Sequence, residues 1–251
     1  MKFKAGPARP ESQYGPVWYA VWWRLIRTYL QLSFRMEAMG LENLPTTGGA
    51  ILVANHSSFL DVPAVACSVP RDMRFVTRDT LDEIPLLGYW IRRTGPIYIK
   101  RGEADVAAIR EIVKLANGGD FVVLYPEGTR SENDAMQELK SGILLAARKA
   151  NVPLIPVGLA GSFDALSRER KFPKLRGRIA LSFGPGFNVN DNKDGKKSGA
   201  ESLEIIRERI LEQMIKARQL WESREKRPYP HPLDSRLALK ADKRVSQSAE
   251  L

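Results

Sequence analysis

From residue 49 to about residue 225, short apolar runs alternate with segments whose apolar positions recur at helical spacing. The apolar runs are rich in Val, Ile and Leu, which predicts strands at 50–54, 74–77, 96–99, 120–125, 153–159 and 178–183. The helical spacing predicts helices at 61–68, 86–92, 103–116, 137–149 and 200–225. Strands and helices that alternate in this way indicate an α/β fold in which helices flank the sheet.

Residues 16–39 carry a different, amphipathic pattern. Polar side chains at steps of three and four define one helical face: Arg24, Arg27, Gln31 and Arg35. Aromatic and aliphatic side chains define another face: Trp18, Val21, Trp22, Leu25, Tyr29 and Leu32. A bilayer-spanning helix needs about 20 predominantly apolar residues, and arginines in mid-segment argue against one. We therefore predict an interfacial membrane helix over 16–39. The alternative is an amphipathic helix packed on the core of the protein itself.

The net charge of +10 is concentrated at the two ends of the chain. Residues 1–40 hold six basic and two acidic side chains, and residues 226–251 hold six basic and three acidic ones. Such an excess fits nucleic acid, an anionic lipid surface or an acidic carrier protein. Nucleic acid is the weakest of the three, because the chain shows no helix-turn-helix, zinc-finger or RNA-recognition pattern. The chain also shows no basic stretch interleaved with aromatics outside the first forty residues.

These patterns divide the chain into four parts. Residues 1–15 are basic and punctuated by Pro and Gly, which predicts a flexible start without the features of a secretory signal. The membrane helix predicted at 16–39 precedes a single domain at 40–225. A basic, Pro-containing tail, which we expect to be partly disordered, occupies 226–251.

The composition gives little support to metal or thiol chemistry. Two histidines and one cysteine leave too few ligands for a His/Cys zinc site. Cys67 lies in the apolar run 62–69, where a free cysteine is typical of core packing. We therefore expect neither a metal ion nor a bound cofactor.

His56 is the candidate general base. It follows the strand predicted at 50–54, and Asp61 opens the next predicted helix. The ends of sheet strands are where α/β folds place reactive groups. A carboxylate at this position accepts the Nδ1–H of the imidazole and leaves Nε2 to take a proton from a hydroxyl. The alternative is a turn histidine followed by an aspartate helix cap. The other histidine, His231, lies between prolines in the tail and is a poor candidate.

The segment YPEGTRS at 125–131 is a candidate anion-binding turn, because it also follows a predicted strand. Gly128 permits a positive φ and close backbone approach, Thr129 offers a hydroxyl, and Arg130 offers a fork that suits phosphate or carboxylate. We expect Glu127 to accept from a substrate hydroxyl or to hold Arg130. A turn stabilised by a structural Arg–Glu pair is the alternative.

A third segment, GPIYIKR at 95–101, ends in two adjacent cations, Lys100 and Arg101. Successive side chains of a strand point to opposite faces of the sheet. If the strand continues to its end, one of these two cations therefore faces the site.

Four segments, NHSSFLD, GPIYIKR, YPEGTRS and VPLIPVG in this order, resemble the sequence blocks of the glycerolipid acyltransferase family, and the bacterial lysophosphatidate acyltransferases above all. The resemblance covers about residues 40–185. Tyr98, Tyr125 and Leu154 replace residues that are commoner in the family, and no charged position of the four blocks is affected. A further family segment usually carries Lys where this chain has Arg78.

The resemblance implies an O-acyltransferase with a mixed sheet flanked by helices and an N-terminal helical membrane element. It implies that His56 is the general base and Asp61 its orienting carboxylate, without a covalent acyl-enzyme. The residues that would hold the phosphate and glycerol of the acceptor are Arg78, Arg101, Glu127, Gly128, Thr129 and Arg130. The implied reaction transfers an acyl group from acyl-CoA or acyl carrier protein to the sn-2 hydroxyl of 1-acyl-sn-glycerol-3-phosphate. It would form phosphatidic acid at the cytoplasmic face of the cell membrane.

Two alternatives stay open at the level of sequence. The same chemistry fits another lysophospholipid or a lyso-amino-lipid as acceptor, because no residue is identified that reads a headgroup beyond phosphate. A non-catalytic lipid-binding protein at the membrane is the other alternative. It would need neither His56 nor Asp61, and the presence of both argues against it.

Overall fold

A computed structural model describes six stretches of the chain: residues 17–71, 73–78, 96–99, 106–170, 172–189 and 198–234. Four of the predicted features lie outside the described residues. They are the flexible start at 1–15, the helix at 86–92, the adjacent cations Lys100 and Arg101, and the last part of the tail at 235–251.

Within the described residues, seven strands form one sheet. The strands are β1 Glu37–Met39, β2 Ala50–Ala54, β3 Met73–Arg78, β4 Ile97–Ile99, β5 Phe121–Leu124, β6 Leu154–Ala160 and β7 Ala180–Phe183. Their order across the sheet is β1-β7-β6-β2-β5-β3-β4. Neighbouring strands are parallel except β6 and β7, which are antiparallel. The mixed α/β fold predicted from the sequence is therefore confirmed.

Six described α-helices accompany the sheet. They are α1 Val17–Phe34, α2 Asp61–Ser68, α3 Val106–Asn117, α4 Gly142–Lys149, α5 Ser162–Leu166 and α6 Gly199–Glu225. The longest of them, α6, starts at a capping box. The hydroxyl of Ser198 accepts the backbone N–H of Glu201, and the carboxylate of Glu201 accepts the backbone N–H of Ser198.

The core lies on both faces of the central strands. Strands β2, β5 and β6 are buried along their full length, which requires apolar cover on both sides. Alternate residues of β2 point to opposite faces, so Leu52 packs in one apolar cluster and Ile51 in the other. Helices α1 and α2 cover the first face, and α3, α4 and α6 cover the second.

Helix α6 and strand β6 approach each other very closely at Gly158. A Cβ atom at this position would overlap the backbone of Gln213 and Met214 in α6. Only a residue without a side chain lets the helix lie this close to the strand. The glycine therefore sets the distance between α6 and the sheet.

The first helix is shorter than predicted. The prediction of one helix over 16–39 is wrong at its end, because α1 stops at Phe34 and residues 37–39 form the edge strand β1. Arg35 adopts a left-handed conformation (φ 40°) that ends the helix. The backbone N–H of Glu37 then donates to Ile179 O (3.0 Å), and its carboxylate accepts from Arg178 (2.9 Å). Pairing with β7 thus removes these residues from the helix.

Two opposite faces of α1 differ in what they contact. Leu30 and Phe34 are buried against the domain, with Trp23 and Ile26 partly buried beside them. The exposed large apolar side chains of the helix are Val21, Leu25, Tyr29 and Leu32. The helix therefore packs on the domain with one face and leaves a second apolar face uncovered. Among the described residues, no helix has both the length and the apolar character needed to cross a membrane.

The structure differs from the predicted division of the chain at residue 225. Lys226 is left-handed (φ 56°) and ends α6, after which the chain turns back onto the domain. The carboxylate of Asp234 accepts from the buried Arg207 at 2.6 Å, and the guanidinium of Arg218 donates to His231 O at 2.9 Å. Residues 226–234 are thus part of the packed domain, because two arginines of α6 bind them.

We expect Gly158→Ala to destabilise the protein by about 1–3 kcal/mol, because the added methyl group forces β6 and α6 apart. Gly142→Ala is the matched control, since the atom nearest to its new methyl group would lie 3.9 Å away and alanine favours a helix. Urea unfolding followed by circular dichroism measures both variants. Wild-type stability in Gly158→Ala would contradict the close packing described here.

Candidate active site

The end of β2 is fixed by the side chain of Asn55. Its Oδ1 accepts the backbone N–H of Leu159 at 2.8 Å, and its Nδ2 donates to the backbone carbonyl of the same residue at 3.2 Å. The amide thus continues the pairing of β2 with β6 by one more residue, after the last backbone pair at Ala54. His56, the next residue, therefore leaves the sheet from a defined position.

His56 and Asp61 form the pair predicted from their spacing. The imidazole Nδ1 lies 2.8 Å from Asp61 Oδ2, and the carboxylate is fully buried at the start of α2. The same oxygen accepts the backbone N–H groups of Ser57 and Ser58, each at 2.8 Å. A carboxylate offers Nδ1 only an acceptor, so Nδ1 carries the proton and Nε2 carries the lone pair. This is the tautomer that a general base needs.

The imidazole of His56 is held on one side by Tyr125. The two rings stack with their centroids 4.2 Å apart and an angle of 25° between their planes. Burial, and to a smaller extent the charge of Asp61, raise the pKa of Tyr125 well above its ordinary value, so this ring stays neutral. The side chain of His56 keeps 18% of its surface exposed, so the imidazole is partly accessible from solvent.

Glu127 lies beneath the site and joins two loops. One carboxylate oxygen accepts the backbone N–H of His56 and the other accepts that of Gln137, each at 2.7 Å. The side chain is buried, and this burial raises its pKa to about 8, against the lowering effect of the two backbone N–H groups. Both oxygens thus bind backbone groups inside the protein, and the contact of Glu127 with the acceptor stays a prediction.

The turn at 125–131 lies beside His56. The backbone N–H of Ser131 donates to His56 O at 2.8 Å, and the turn closes where Gly128 N–H donates to Tyr125 O at 3.0 Å. Gly128 has a φ of 71°, which favours glycine, and both Gly128 and Thr129 are exposed. The guanidinium of Arg130 stacks on the ring of Phe59, 3.4 Å from its centroid. The structure thus places these three predicted residues at the site.

The structure describes the two other predicted cations, Arg78 and Arg101, to different extents. Arg78 is the last residue of β3, and β3 runs parallel to β5, which runs parallel to β2. The carboxyl ends of parallel strands meet at one edge of a sheet, so the backbone of Arg78 lies on the same edge as His56. The side chain of Arg78 lies outside the described part of the structure, as does the whole of Arg101.

A buried polar cluster behind the His56 loop was missed in the sequence. Asp134 has a left-handed backbone (φ 61°), and its carboxylate accepts the hydroxyl of Tyr229 at 2.7 Å. That hydroxyl also accepts the backbone N–H of Gly161 at 2.6 Å, and the Arg218 guanidinium lies over the Tyr229 ring. Burial raises the pKa of Asp134 to about 6. Asp134 and Tyr229 are 95 positions apart in the sequence, so no local sequence pattern predicts this contact.

His231 binds a carboxylate of its own. Its Nε2 lies 3.3 Å from an oxygen of Asp164, and its ring meets that of Phe163 edge to face. The interaction with Asp164 raises the pKa of His231 above its ordinary value. This pair attaches the end of the chain to α5, which gives His231 a structural role.

The fold and the site together define an α/β protein that carries an oriented histidine base next to an arginine-bearing turn. The family model described as Acyltransferase matches residues 35–160, which is half of the chain. The chain therefore belongs to the acyltransferase family. The resemblance predicted from the four sequence blocks is confirmed, as is the classification of the protein among the enzymes of this family.

Related proteins carry names that specify a glycerolipid substrate. The chloroplastic 1-acyl-sn-glycerol-3-phosphate acyltransferase LPAT1 of Arabidopsis thaliana is 31% identical over 143 residues, which are 56% of this chain and 39% of the plant protein. The chain thus spans well under half of that relative. The 1-acyl-sn-glycerol-3-phosphate acyltransferase of Bacillus subtilis is 25% identical over 198 residues, which are 78% of this chain and 96% of the bacterial protein.

A solved structure shares the fold. The crystal structure of the 1-acyl-sn-glycerophosphate acyltransferase PlsC from Thermotoga maritima matches with a TM-score of 0.61 at 22% identity. The match covers 80% of this chain and 82% of the other. The mixed sheet with its flanking helices is therefore common to both proteins.

We expect Glu127 to make the stability of the protein fall as the pH rises. The carboxyl ionises near 4.5 in the unfolded chain and near 8 in the folded protein, so the folded state binds more protons between these values. The stabilisation that this proton provides is lost as the pH rises from about 5 to about 8.

The measurement is urea unfolding of the wild type and of Glu127→Gln at pH 5, 6.5 and 8. The glutamine does not titrate, while Asp134 and His231 titrate in both proteins. The stability of the wild type relative to the variant should therefore decrease with rising pH. A difference that stays constant or grows would contradict the raised pKa of Glu127.

Proposed function

We propose that the protein transfers an acyl group from acyl-CoA or acyl carrier protein to the sn-2 hydroxyl of 1-acyl-sn-glycerol-3-phosphate, forming phosphatidic acid. The observation that carries this proposal is the His56–Asp61 pair, held at 2.8 Å beside an arginine-bearing turn. The names of the Arabidopsis thaliana and Bacillus subtilis relatives support the choice of acceptor.

The base acts on the hydroxyl of the acceptor. His56 Nε2 takes the hydroxyl proton as the oxygen attacks the thioester carbonyl carbon. The tetrahedral intermediate then collapses: the carbon–sulfur bond breaks and the proton on Nε2 passes to the leaving sulfur. Asp61 keeps the ring in its orientation and stabilises the imidazolium that forms between the two proton transfers. No side chain of the enzyme is acylated in this scheme.

The turn at 125–131 supplies the contacts for the acceptor phosphate. Arg130 provides a planar cation that can donate two hydrogen bonds to phosphate oxygens, the exposed Thr129 adds a hydroxyl group, and Gly128 allows the acceptor to approach the backbone closely. Arg78, at the end of β3, and Arg101 are proposed to complete the phosphate site. Glu127 is assigned to the structure of the turn, since its oxygens are occupied.

The membrane is proposed to be reached through α1. Its uncovered face carries Val21, Leu25, Tyr29 and Leu32, while Leu30 and Phe34 attach the helix to the domain. An apolar face of this kind, next to arginines, fits a helix lying among the headgroups of the cytoplasmic leaflet. The protein would then bind the cell membrane as a monotopic or peripheral enzyme and take its lysolipid from the bilayer.

We expect His56→Ala to lower the turnover number by about 10²–10⁴, because the variant loses its general base. Release of thiol from acyl-CoA with 1-acylglycerol-3-phosphate as acceptor measures the rate. His231→Ala is the matched control: it removes the other histidine, which pairs with Asp164, and it should keep most of the activity. Full activity of a folded His56→Ala protein would exclude this mechanism.

We expect Arg130→Gln to weaken the use of the phosphate-bearing acceptor by roughly 10- to 100-fold, mainly through KM. A hydrogen bond to a charged group is worth about 1.5–3 kcal/mol. Lys149→Gln is the matched control, since it removes an exposed cation at the end of α4. Both variants are assayed on a panel of lysolipids, with acyl-CoA and acyl carrier protein as alternative donors. An equal loss on an acceptor without phosphate would contradict the assigned role.

A further inference from the structure

The connection between α5 and β7 carries an unusual combination of side chains. Residues 168–176, the basic-apolar loop, hold five basic side chains and one acidic side chain in the sequence, and Lys171 among them lies outside the described residues. Phe172 is 80% exposed and Leu175 is 89% exposed, which makes them the two most exposed large apolar side chains in the described part of the chain. The loop thus combines a basic stretch with two exposed apolar side chains.

The second half of the basic-apolar loop is attached to the domain. The backbone N–H of Lys174 donates to Ala165 O at 2.8 Å, and its ammonium group lies 3.7 Å from a carboxylate oxygen of Asp164. Just after the loop, the backbone N–H of Gly177 donates to Ser33 O at 2.9 Å, at the end of α1. The exposed apolar side chains are therefore presented from an anchored base.

The loop starts at the edge of the candidate active site. The hydroxyl of Ser58, in the loop that carries His56, donates to Leu166 O at 2.7 Å. The guanidinium of Arg168 lies 3.4 Å from the carboxylate of Glu132, two residues after Arg130. The basic-apolar loop thus joins the active-site edge of the domain to the end of α1.

The charges of the loop are available to an anionic partner. Arg170 and Arg176 are exposed, and no ion pair within the described residues involves either of them. Arg168 and Lys174 have carboxylate neighbours, but the side chains of both are at least 40% exposed. Cations near a membrane surface are attracted by anionic lipids, and apolar side chains between them can enter the headgroup region.

We propose that the basic-apolar loop is a second membrane contact, in which Phe172 and Leu175 enter the headgroup region of an anionic bilayer and the surrounding cations bind lipid phosphates. An acidic carrier protein would also bind the cations. The bilayer is favoured because the loop is continuous, through Gly177 and Ser33, with the helix whose apolar face is uncovered. The inference rests on the proposed function only in placing the lysolipid acceptor in a bilayer. The two contacts would hold the His56 site against the lipid surface.

The test uses the full chain with lipid vesicles and needs no catalytic activity. The double variant Phe172→Ser, Leu175→Ser should bind vesicles of phosphatidylcholine and phosphatidylglycerol about tenfold more weakly than the wild type in a sedimentation assay. Arg170→Gln, Arg176→Gln should weaken binding about fivefold or more on these vesicles. The charge variant should bind vesicles of phosphatidylcholine alone as the wild type does, and salt should reduce its difference from the wild type.

Matched controls are Ile215→Ser, which removes an exposed apolar side chain of α6, and Lys216→Gln, which removes an exposed cation beside it. Both should bind vesicles like the wild type.

Leu25→Ser, Leu32→Ser tests the face of α1 separately. Wild-type vesicle binding by both loop variants would overturn the proposal. Wild-type vesicle binding combined with a selective loss of acyl carrier protein as donor would overturn it in favour of a carrier-docking loop.

The loop variants are also assayed for acyl transfer in detergent micelles, where no bilayer is required. They should keep wild-type rates there, because neither pair of residues contacts the His56 site. If the wild type itself transfers no acyl group, the proposed function fails while the vesicle measurements still decide the role of the loop. If the loop variants lose transfer in micelles as well, the loop acts on the reaction itself and the proposal of a membrane contact is overturned.

Discussion

One oxygen of the buried Asp61 carboxylate accepts three hydrogen bonds, from the imidazole of His56 and from the backbone N–H groups of Ser57 and Ser58. The turn between β2 and α2 is therefore held by hydrogen bonds to a single carboxylate oxygen. This atom fixes the tautomer of the base, the direction of its ring and the start of the helix together. Asn55 fixes the start of the same turn, because its side chain binds both the N–H and the carbonyl of Leu159.

The second half of the site depends on the first through Glu127. Its two oxygens bind the backbone N–H groups of His56 and Gln137, and Ser131 N–H donates back to His56 O. The base and the arginine-bearing turn are consequently parts of one hydrogen-bonded unit. Parallel strands bring both loops to the same edge of the sheet, so the imidazole and the arginine-bearing turn lie side by side, as the proposed function requires.

The segment 226–234 and the first helix, which lie far apart in the sequence, both pack on this domain. Tyr229 reaches Asp134 beneath the His56 loop, and Arg207 and Arg218 of α6 hold the segment that carries it. At the other end, α1 packs through one apolar face and presents another. The membrane contact proposed for α1 requires this division, because one helix would then bind both the domain and the bilayer.

The sequence by itself determined the features that depend on neighbours in the chain. His56 and Asp61 lie five positions apart in one turn, and the apolar runs of β2, β5 and β6 are long enough to require burial. Tertiary structure decided the rest. Glu37 leaves the first helix because Arg178, 141 positions away, binds its carboxylate, and residues 226–234 are ordered because α6 binds them. The sequence predicts a substrate contact for Glu127, and only the structure shows that its two oxygens bind the backbone N–H groups of His56 and Gln137. Hydrogen bonds between segments that are far apart in the sequence leave no local sequence pattern. These bonds decide which polar side chains face a substrate.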